Sequence, residues 1–128
     1  MKLKFISIIA CLLLCIGCNS QNEIKVLSPQ EFATAIATDS SAIVLDVRQL
    51  KEFESGHLGN AIQLNFLDKA VFEKGIKDLD KSKTYYLYCR SGRRSNSAAL
   101  MMKKEGFKVF DLKGGILAWE KTGLPILR

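Results

Sequence analysis

Short apolar runs alternate with segments of helical composition along the chain, and this alternation is the strongest constraint on its fold. Residues 42–45 (AIVL) and 84–88 (TYYLY) are continuous runs of strand-forming residues without polar alternation. Such runs are typical of a sheet that is covered on both faces. Residues 24–27, 61–64 and 108–111 are three further strand candidates. The pattern therefore predicts an α/β domain with a five-stranded, mainly parallel sheet flanked by helices on both faces.

The predicted helices carry recognisable start and stop signals. Residues 28–31 (SPQE) combine an N-cap serine, a proline at the first helical position and a capping-box glutamate. Residues 66–79 place apolar side chains at helical spacing, and residues 95–105 have a helical composition that ends at Gly106. A last helix is predicted to open at Gly114 and Gly115 and to run through Trp119.

The segment CRSGRRS at residues 89–95 joins the predicted strand 84–88 to the predicted helix 95–105. Open α/β sheets bind their ligands at the carboxyl ends of strands, so the cysteine should lie at such a site. Backbone N–H groups, a helix N-terminus and three guanidinium groups would converge there, which stabilises a thiolate and attracts anions. A small buried hydrophobe beside solvated arginines is the disfavoured alternative. The candidate site residues are Cys89, Arg90, Ser91, Gly92, Arg93, Arg94 and Ser95.

Residues 1–17 have the pattern of a bacterial export signal. Two lysines precede an apolar run of about a dozen residues, which is short for a transmembrane helix. The following CIGC resembles a lipobox, so we expect cleavage before Cys18, lipid on Cys18 and a tether over residues 18–23. Ordinary secretion and an uncleaved anchor remain alternatives. The expected location is the bacterial cell envelope, with the protein lipid-anchored to a membrane and facing the periplasm.

Cysteine usage directs attention to one thiol. Cys11 and Cys15 would leave with the signal and Cys18 would carry lipid, so Cys89 would be the one free thiol of the mature protein. Exported domains normally pair their cysteines, and an unpaired one calls for an explanation. Reactivity of Cys89 explains it best.

The charge of the chain excludes one class of partner. Without the two lysines of the signal, seventeen basic residues face thirteen acidic ones, a charge of +4. The sequence has neither a long basic run nor basic residues interleaved with aromatic ones, so nucleic acid is not an expected partner. No metal and no cofactor are predicted, and the domain is expected to be monomeric.

Three sequence blocks together resemble the single-domain rhodaneses, a family of sulfurtransferases. The blocks are LDVR at 45–48 with EFESGHL at 52–58, YCRSGRRS at 88–95, and GGILAW at 114–119 with GLP at 123–125. They occur in the family's order and span the predicted domain, residues 24–128. The resemblance implies a rhodanese-like fold and a persulfide relay on Cys89. In that relay a small anionic donor such as thiosulfate gives up its sulfane sulfur, and cyanide or a thiol accepts it.

The resemblance also suggests roles for the residues of the loop. Arg94 and Arg93 are expected to hold the sulfonate oxygens of the donor, while Arg90 lies either at the pocket mouth or in solvent. Ser95 either donates to the thiolate or caps the helix, and the cap is favoured. Gly92 is expected to supply a backbone φ that a Cβ would oppose.

Two residues of the first block, Asp46 and Arg48, are expected to support the site. Asp46 and Arg48 lie on the same sheet edge as Cys89 and are predicted to form an ion pair that shapes the loop. Alternatively, the side chain of Arg48 faces the pocket. Asp46 is also expected to cap the turn that follows its strand. His57 is predicted to be a packed, hydrogen-bonded residue and not a base.

Other functions remain as alternatives. Cys89 could carry a persulfide or act as a thiol redox relay to a partner protein, because its reactivity alone suffices. A phosphatase is disfavoured because four residues separate Cys89 from Arg94, one fewer than in the related phosphatase loop. An inactive binding module is disfavoured because the cysteine is present.

Overall fold

The computed structural model describes residues 23–128, in which five strands alternate with five helices. The elements in chain order are β1 (Lys25–Leu27), α1 (Pro29–Thr38), β2 (Ala42–Asp46), α2 (Leu50–Ser55), β3 (Ile62–Gln63), α3 (Lys69–Lys77), β4 (Thr84–Tyr88), α4 (Arg93–Lys104), β5 (Lys108–Leu112) and α5 (Gly115–Lys121). The predicted signal and the lipidation of Cys18 lie outside the described residues and stay predictions. Within residues 23–128, every helix is too short or too polar to cross a membrane.

The five strands form one sheet in the order β1-β5-β4-β2-β3, and all neighbouring pairs are parallel. Residues of α3 and α4 pack on one face, and residues of α1 and α5 pack on the other. The predicted five-stranded α/β fold with helices on both faces is therefore confirmed.

Strand β4 lies at the centre of the sheet, which explains its uninterrupted apolar sequence. Tyr85 and Leu87 belong to the core under α3 and α4, and Tyr86 and Tyr88 belong to the core under α1 and α5. Successive side chains of a strand point to opposite faces, so a central strand needs apolar residues at every position. Cys89, directly after the strand, joins the core under α3 and α4.

Two helices differ in extent from the sequence prediction. Helix α3 begins at Lys69, not at residue 66, because the side chain of Asp68 accepts a hydrogen bond from Val71 N and caps it. Helix α4 begins at Arg93, two residues earlier than predicted. The apolar spacing that suggested the longer helix over 66–79 comes from core packing of the flanking residues Phe66 and Leu79.

Helix α1 begins as the sequence predicts. The hydroxyl of Ser28 accepts a hydrogen bond from Glu31 N at 3.2 Å, and the Glu31 carboxylate accepts one from Ser28 N at 2.8 Å. Both bonds satisfy N–H groups that a helix start would otherwise leave unpaired.

Ser28→Ala removes half of this capping box, and we expect it to lower the free energy of unfolding by about 1 kcal/mol. Urea denaturation followed by circular dichroism measures the loss. Gln30→Ala, an exposed position of the same helix, is the matched control and should change the free energy by less than about 0.5 kcal/mol. Equal losses in the two variants would contradict a specific capping role.

Candidate active site

Cys89 lies immediately after β4 at the carboxyl edge of the sheet, and 1 % of its surface is exposed. Its Sγ accepts a hydrogen bond from Gly92 N at 3.1 Å and a second from Ser95 Oγ at 3.3 Å. Both donors belong to the start of α4, so the positive end of that helix faces the sulfur. The sequence prediction of a cysteine between a strand end and a helix start is confirmed.

The turn from Cys89 into α4 depends on Gly92. This residue is the N-cap of α4 and has a φ of 109°, a conformation that L side chains rarely adopt. The expectation that Gly92 supplies an unusual φ is confirmed. The left-handed turn lets the helix begin at Arg93 and turns Gly92 N toward the sulfur.

The favoured prediction that Ser95 caps helix α4 is wrong. Because the helix begins two residues earlier than the sequence suggested, Ser95 lies inside its first turn and is fully buried. Its hydroxyl contacts Cys89 Sγ and Gly92 O, each at 3.3 Å. The alternative role, donation to the sulfur, is the arrangement that the structure has.

The start of α5 holds the loop from behind. Ile116 N donates to Cys89 O at 2.9 Å and Leu117 N donates to Arg90 O at 3.2 Å. Gly115 has a φ of +62°, and a Cβ on it would overlap the Arg90 carbonyl group and lie 2.6 Å from Cys89 O. The Gly114-Gly115 pair was predicted only to open the last helix, although two adjacent glycines can also indicate a close backbone approach.

The three loop arginines differ in their surroundings. Arg90 and Arg93 are exposed, whereas Arg94 is partly buried. The guanidinium group of Arg94 forms two hydrogen bonds to the Glu52 carboxylate, at 2.7 and 2.9 Å. These bonds lower the pKa of Glu52. Glu52, on α2, is a residue that sequence reasoning missed.

The predicted binding of a donor by the arginines and by Ser91, which is exposed, stays a prediction.

Asp46 and Arg48 form the predicted ion pair. Arg48 is buried, and its Nη2 lies 2.7 Å from Asp46 Oδ2 and donates to Gly56 O at 2.7 Å. Asp46 Oδ1 accepts from Arg48 N at 2.9 Å, so the predicted turn cap is also present. A buried ion pair needs such additional hydrogen bonds to offset the loss of solvent.

Tyr88 connects this ion pair to the active loop. Its hydroxyl donates to Asp46 Oδ2 at 2.6 Å and accepts from Leu58 N at 3.1 Å, while the Arg48 guanidinium lies 5.4 Å from its ring centroid. Burial and then the charge of Asp46 raise the pKa of the Tyr88 phenol. The sequence placed Tyr88 in the predicted strand and in the YCRSGRRS block, but no role was predicted for its hydroxyl. Its position directly before Cys89 was the available signal.

His57 has the structural role that the sequence suggested. Its Nδ1 lies 2.9 Å from Phe53 O, and its ring stacks on the Phe53 ring with a centroid distance of 3.9 Å. Its backbone also exchanges two hydrogen bonds with Leu127. These contacts anchor the C-terminal segment beside α2.

Asp111 is a second residue that sequence reasoning missed. It lies on β5 with 2 % of its surface exposed, and its Oδ1 has no hydrogen-bond partner within residues 23–128. Burial raises the pKa of Asp111 to about 6, against a lowering effect of the Ser95 and Asn96 side chains. A buried carboxyl group with an unsatisfied oxygen is costly and indicates a functional constraint.

The arrangement is suited to one kind of chemistry. A buried sulfur atom receives a backbone N–H and a hydroxyl at the start of a helix, with two exposed arginines in the adjoining loop. Such groups stabilise a negative charge on sulfur and attract anions. The described part of the chain contains no group of three or more His, Cys, Asp or Glu side chains placed to hold a metal ion.

Comparison with known proteins agrees with this geometry. The sequence pattern of the rhodanese-like domain matches residues 28–122. A proposed sulfurtransferase of Bacillus subtilis, YtwF, is 35% identical over 103 residues, which cover 80% of this chain and 97% of that protein. A proposed sulfur carrier protein of the same organism, YrkF, is 33% identical over 99 residues, 77% of this chain and 52% of that protein. The crystal structure of a rhodanese-related protein from Thermoplasma volcanium superposes with a TM-score of 0.72 at 26% identity, covering 80% of this chain and 97% of that one.

Gly115→Ala should destabilise the protein and disrupt the active loop, because the added Cβ meets rigid backbone of Cys89 and Arg90. Gly123→Ala is the matched control, since Gly123 has a φ of +81° and open space around a Cβ. We expect the control to lose about 1 kcal/mol and Gly115→Ala to lose at least about 2 kcal/mol more. Thermal and urea unfolding measure both. Similar losses of stability in the two variants would mean that the approach of the Cys89 and Arg90 backbone does not exclude a side chain at Gly115.

Proposed function

Because the chain belongs to the rhodanese-like domain family, we propose that it is a sulfurtransferase that works through a persulfide on Cys89. The observation that carries the proposal is the environment of the sulfur, which accepts hydrogen bonds from Gly92 N and Ser95 Oγ. The similarity to YtwF over nearly the whole length of that protein supports it.

The proposed reaction has two displacement steps. The Cys89 thiolate attacks the sulfane sulfur of thiosulfate, a new S–S bond forms, and the old S–S bond breaks as sulfite leaves with its electron pair. Cyanide or a thiolate then attacks the outer sulfur of the persulfide and releases the Cys89 thiolate. Each step moves one electron pair, and neither needs an added oxidant or reductant.

The protein would promote both steps by stabilising negative charge on sulfur. The outer sulfur of the persulfide would lie among the N–H groups of the loop and of the first turn of α4, an anion-binding arrangement. A single well-aligned N–H is worth on the order of 3 kcal/mol at an oxyanion site. Ser95 adds a hydroxyl donor from the side of the helix.

Substrate recognition would use the loop arginines. Arg90 and Arg93 are exposed and available to an anion, and guanidinium groups bind planar arrays of oxygen atoms well. Arg94 is held by Glu52 in the structure, so an anionic donor would compete with that carboxylate for it. The physiological donor class we propose is accordingly small and anionic, with thiosulfate as the test substrate.

A persulfide carrier is the second candidate. The similarity to YrkF, a proposed sulfur carrier of which the chain spans about half, favours it. So does the pairing of Arg94 with Glu52, which reduces the positive charge available to a small anion. In a carrier the outer sulfur passes to a partner protein and small-molecule turnover is slow.

We further propose that the protein acts at the bacterial cell envelope, attached to a membrane through lipid on Cys18 and facing the periplasm. Support comes from the sequence of residues 1–18 alone.

The central prediction compares the wild-type protein with Cys89→Ser, both in a soluble form that begins at Asn19. We expect the wild type to transfer sulfur from thiosulfate to cyanide, and intact mass spectrometry to find one added sulfur atom after incubation with thiosulfate. Both results should vanish in the variant, which lacks the nucleophile. A persulfide that forms without turnover would favour the carrier, and no persulfide with any donor would refute both candidates.

Glu52→Gln tests competition at Arg94. The amide keeps an acceptor for the Gln49 N–H but removes the charge that holds Arg94, so we expect KM for thiosulfate to fall by up to about fivefold. Glu54→Gln, an exposed carboxylate in the same helix, is the control and should leave KM unchanged. A rise in KM would instead mean that Glu52 positions Arg94 for the donor.

A further inference from the structure

Asp111 is buried on β5, beside the strand that leads into Cys89. In the register of the sheet it pairs with Leu87, which lies two residues before Cys89 on the neighbouring strand. Side chains alternate along a strand, so Asp111 shares a face with Val109, in the core that contains Cys89 and the apolar residues of α4. The proposed reaction mechanism does not use this carboxyl group.

The polar neighbours of Asp111 come from the first turn of α4. The side chains of Ser95 and Asn96 lower the pKa of its carboxyl group through hydrogen bonding, while Oδ1 has no hydrogen-bond partner in the described residues. The hydroxyl of Ser95 also points at Cys89 Sγ, 3.3 Å away. A hydroxyl has one proton to donate, so Cys89 Sγ, the Gly92 carbonyl oxygen and the Asp111 carboxylate are competing acceptors for it.

We propose that Asp111 is a positioning residue whose ionisation decides whether the Ser95 hydroxyl donates to Cys89 Sγ or to the Asp111 carboxylate. A protonated Asp111 is itself a donor and leaves the Ser95 proton for the sulfur. An ionised Asp111 draws that proton away and places a second negative charge near the thiolate. The inference rests on the proposed role of Cys89 as the nucleophile.

The transition falls in an accessible pH range because burial raises the pKa of Asp111 to about 6. The neutral groups that act against this rise are Ser95, Asn96 and the backbone N–H of Leu112. Among the basic groups on the surrounding elements, Arg94 is held by Glu52, and Lys103 of α4 is partly buried and donates to Glu23 O. The exposed ones are Lys25 on β1, Arg93 and Lys104 on α4, Lys108 at the start of β5 and Lys113 just after its end.

The competition for the Ser95 proton sets the direction in which Asp111→Asn changes the reactivity of Cys89. Below about pH 6 Asp111 is neutral, and replacing it by asparagine should change little. Above about pH 6 the carboxylate opposes the thiolate, so asparagine should make Cys89 more reactive. The ratio of the two reactivities therefore rises with pH across the titration of Asp111.

Alkylation of Cys89 by iodoacetamide tests the proposal without any sulfur donor. The purified wild type and Asp111→Asn are compared from pH 5 to pH 7, with the Cys89 peptide quantified by mass spectrometry. We expect a variant-to-wild-type rate ratio near one at pH 5 and a two- to tenfold ratio at pH 7, since one pKa unit is worth about tenfold. A ratio that does not change with pH overturns the proposal. Glu54→Gln is the charge control and should keep a ratio of one.

Ser95→Ala tests whether Asp111 affects Cys89 through the Ser95 hydroxyl. In that background the effect of Asp111→Asn at pH 7 should fall to less than half, and an unchanged effect overturns the role of Ser95. If Asp111→Asn does not fold, the wild type and Ser95→Ala alone decide. The wild-type rate profile should inflect near pH 6 and the Ser95→Ala profile should show that inflection at less than half its size, whereas an inflection of equal size in both overturns the role of Ser95. Because alkylation needs no persulfide, a failure of sulfur transfer remains distinguishable from a failure of this inference.

Discussion

The hydrogen bond from Ile116 N to Cys89 O holds the active loop in place, and most of the site depends on it. The bond requires the start of α5 to approach the backbone of Cys89 and Arg90 so closely that Gly115 cannot carry a side chain. With the carbonyl groups of the loop held from that side, Gly92 N is free to point at the sulfur. The nucleophile is therefore positioned by backbone and not by flexible side chains, which favours a fixed geometry through both steps of the proposed reaction.

Charge around the loop is arranged in two layers. Deep in the protein, Asp46 and Arg48 neutralise each other and use Tyr88 and the Gly56 carbonyl to satisfy their remaining hydrogen bonds. Such a pair contributes little net stability, but it links the end of β2 to the strand that carries Cys89. Nearer the surface, the Glu52 carboxylate pairs with Arg94, while Arg90 and Arg93 are exposed.

Much of the fold could be predicted from the sequence because its signals are local. A run such as TYYLY at 84–88 is tolerated only in a strand covered on both faces, and SPQE at 28–31 specifies a helix start through its own side chains. Helix boundaries were less accurate. Capping by Asp68 and the left-handed Gly92 displaced the starts of α3 and α4, and such choices depend on how the chain enters the helix.

The sequence by itself determined the fold class, the position of Cys89 between strand and helix, and the pairing of Asp46 with Arg48, because each follows from neighbouring residues or from one edge of a parallel sheet. The tertiary structure alone decided the partners that come from distant segments. Glu52 meets Arg94 because α2 and α4 pack together, and Gly115 meets Arg90 because α5 approaches the loop after β4. Asp111 comes near Ser95 because α4 packs on β5. Strand order and helix packing are non-local, so no spacing along the chain records these contacts.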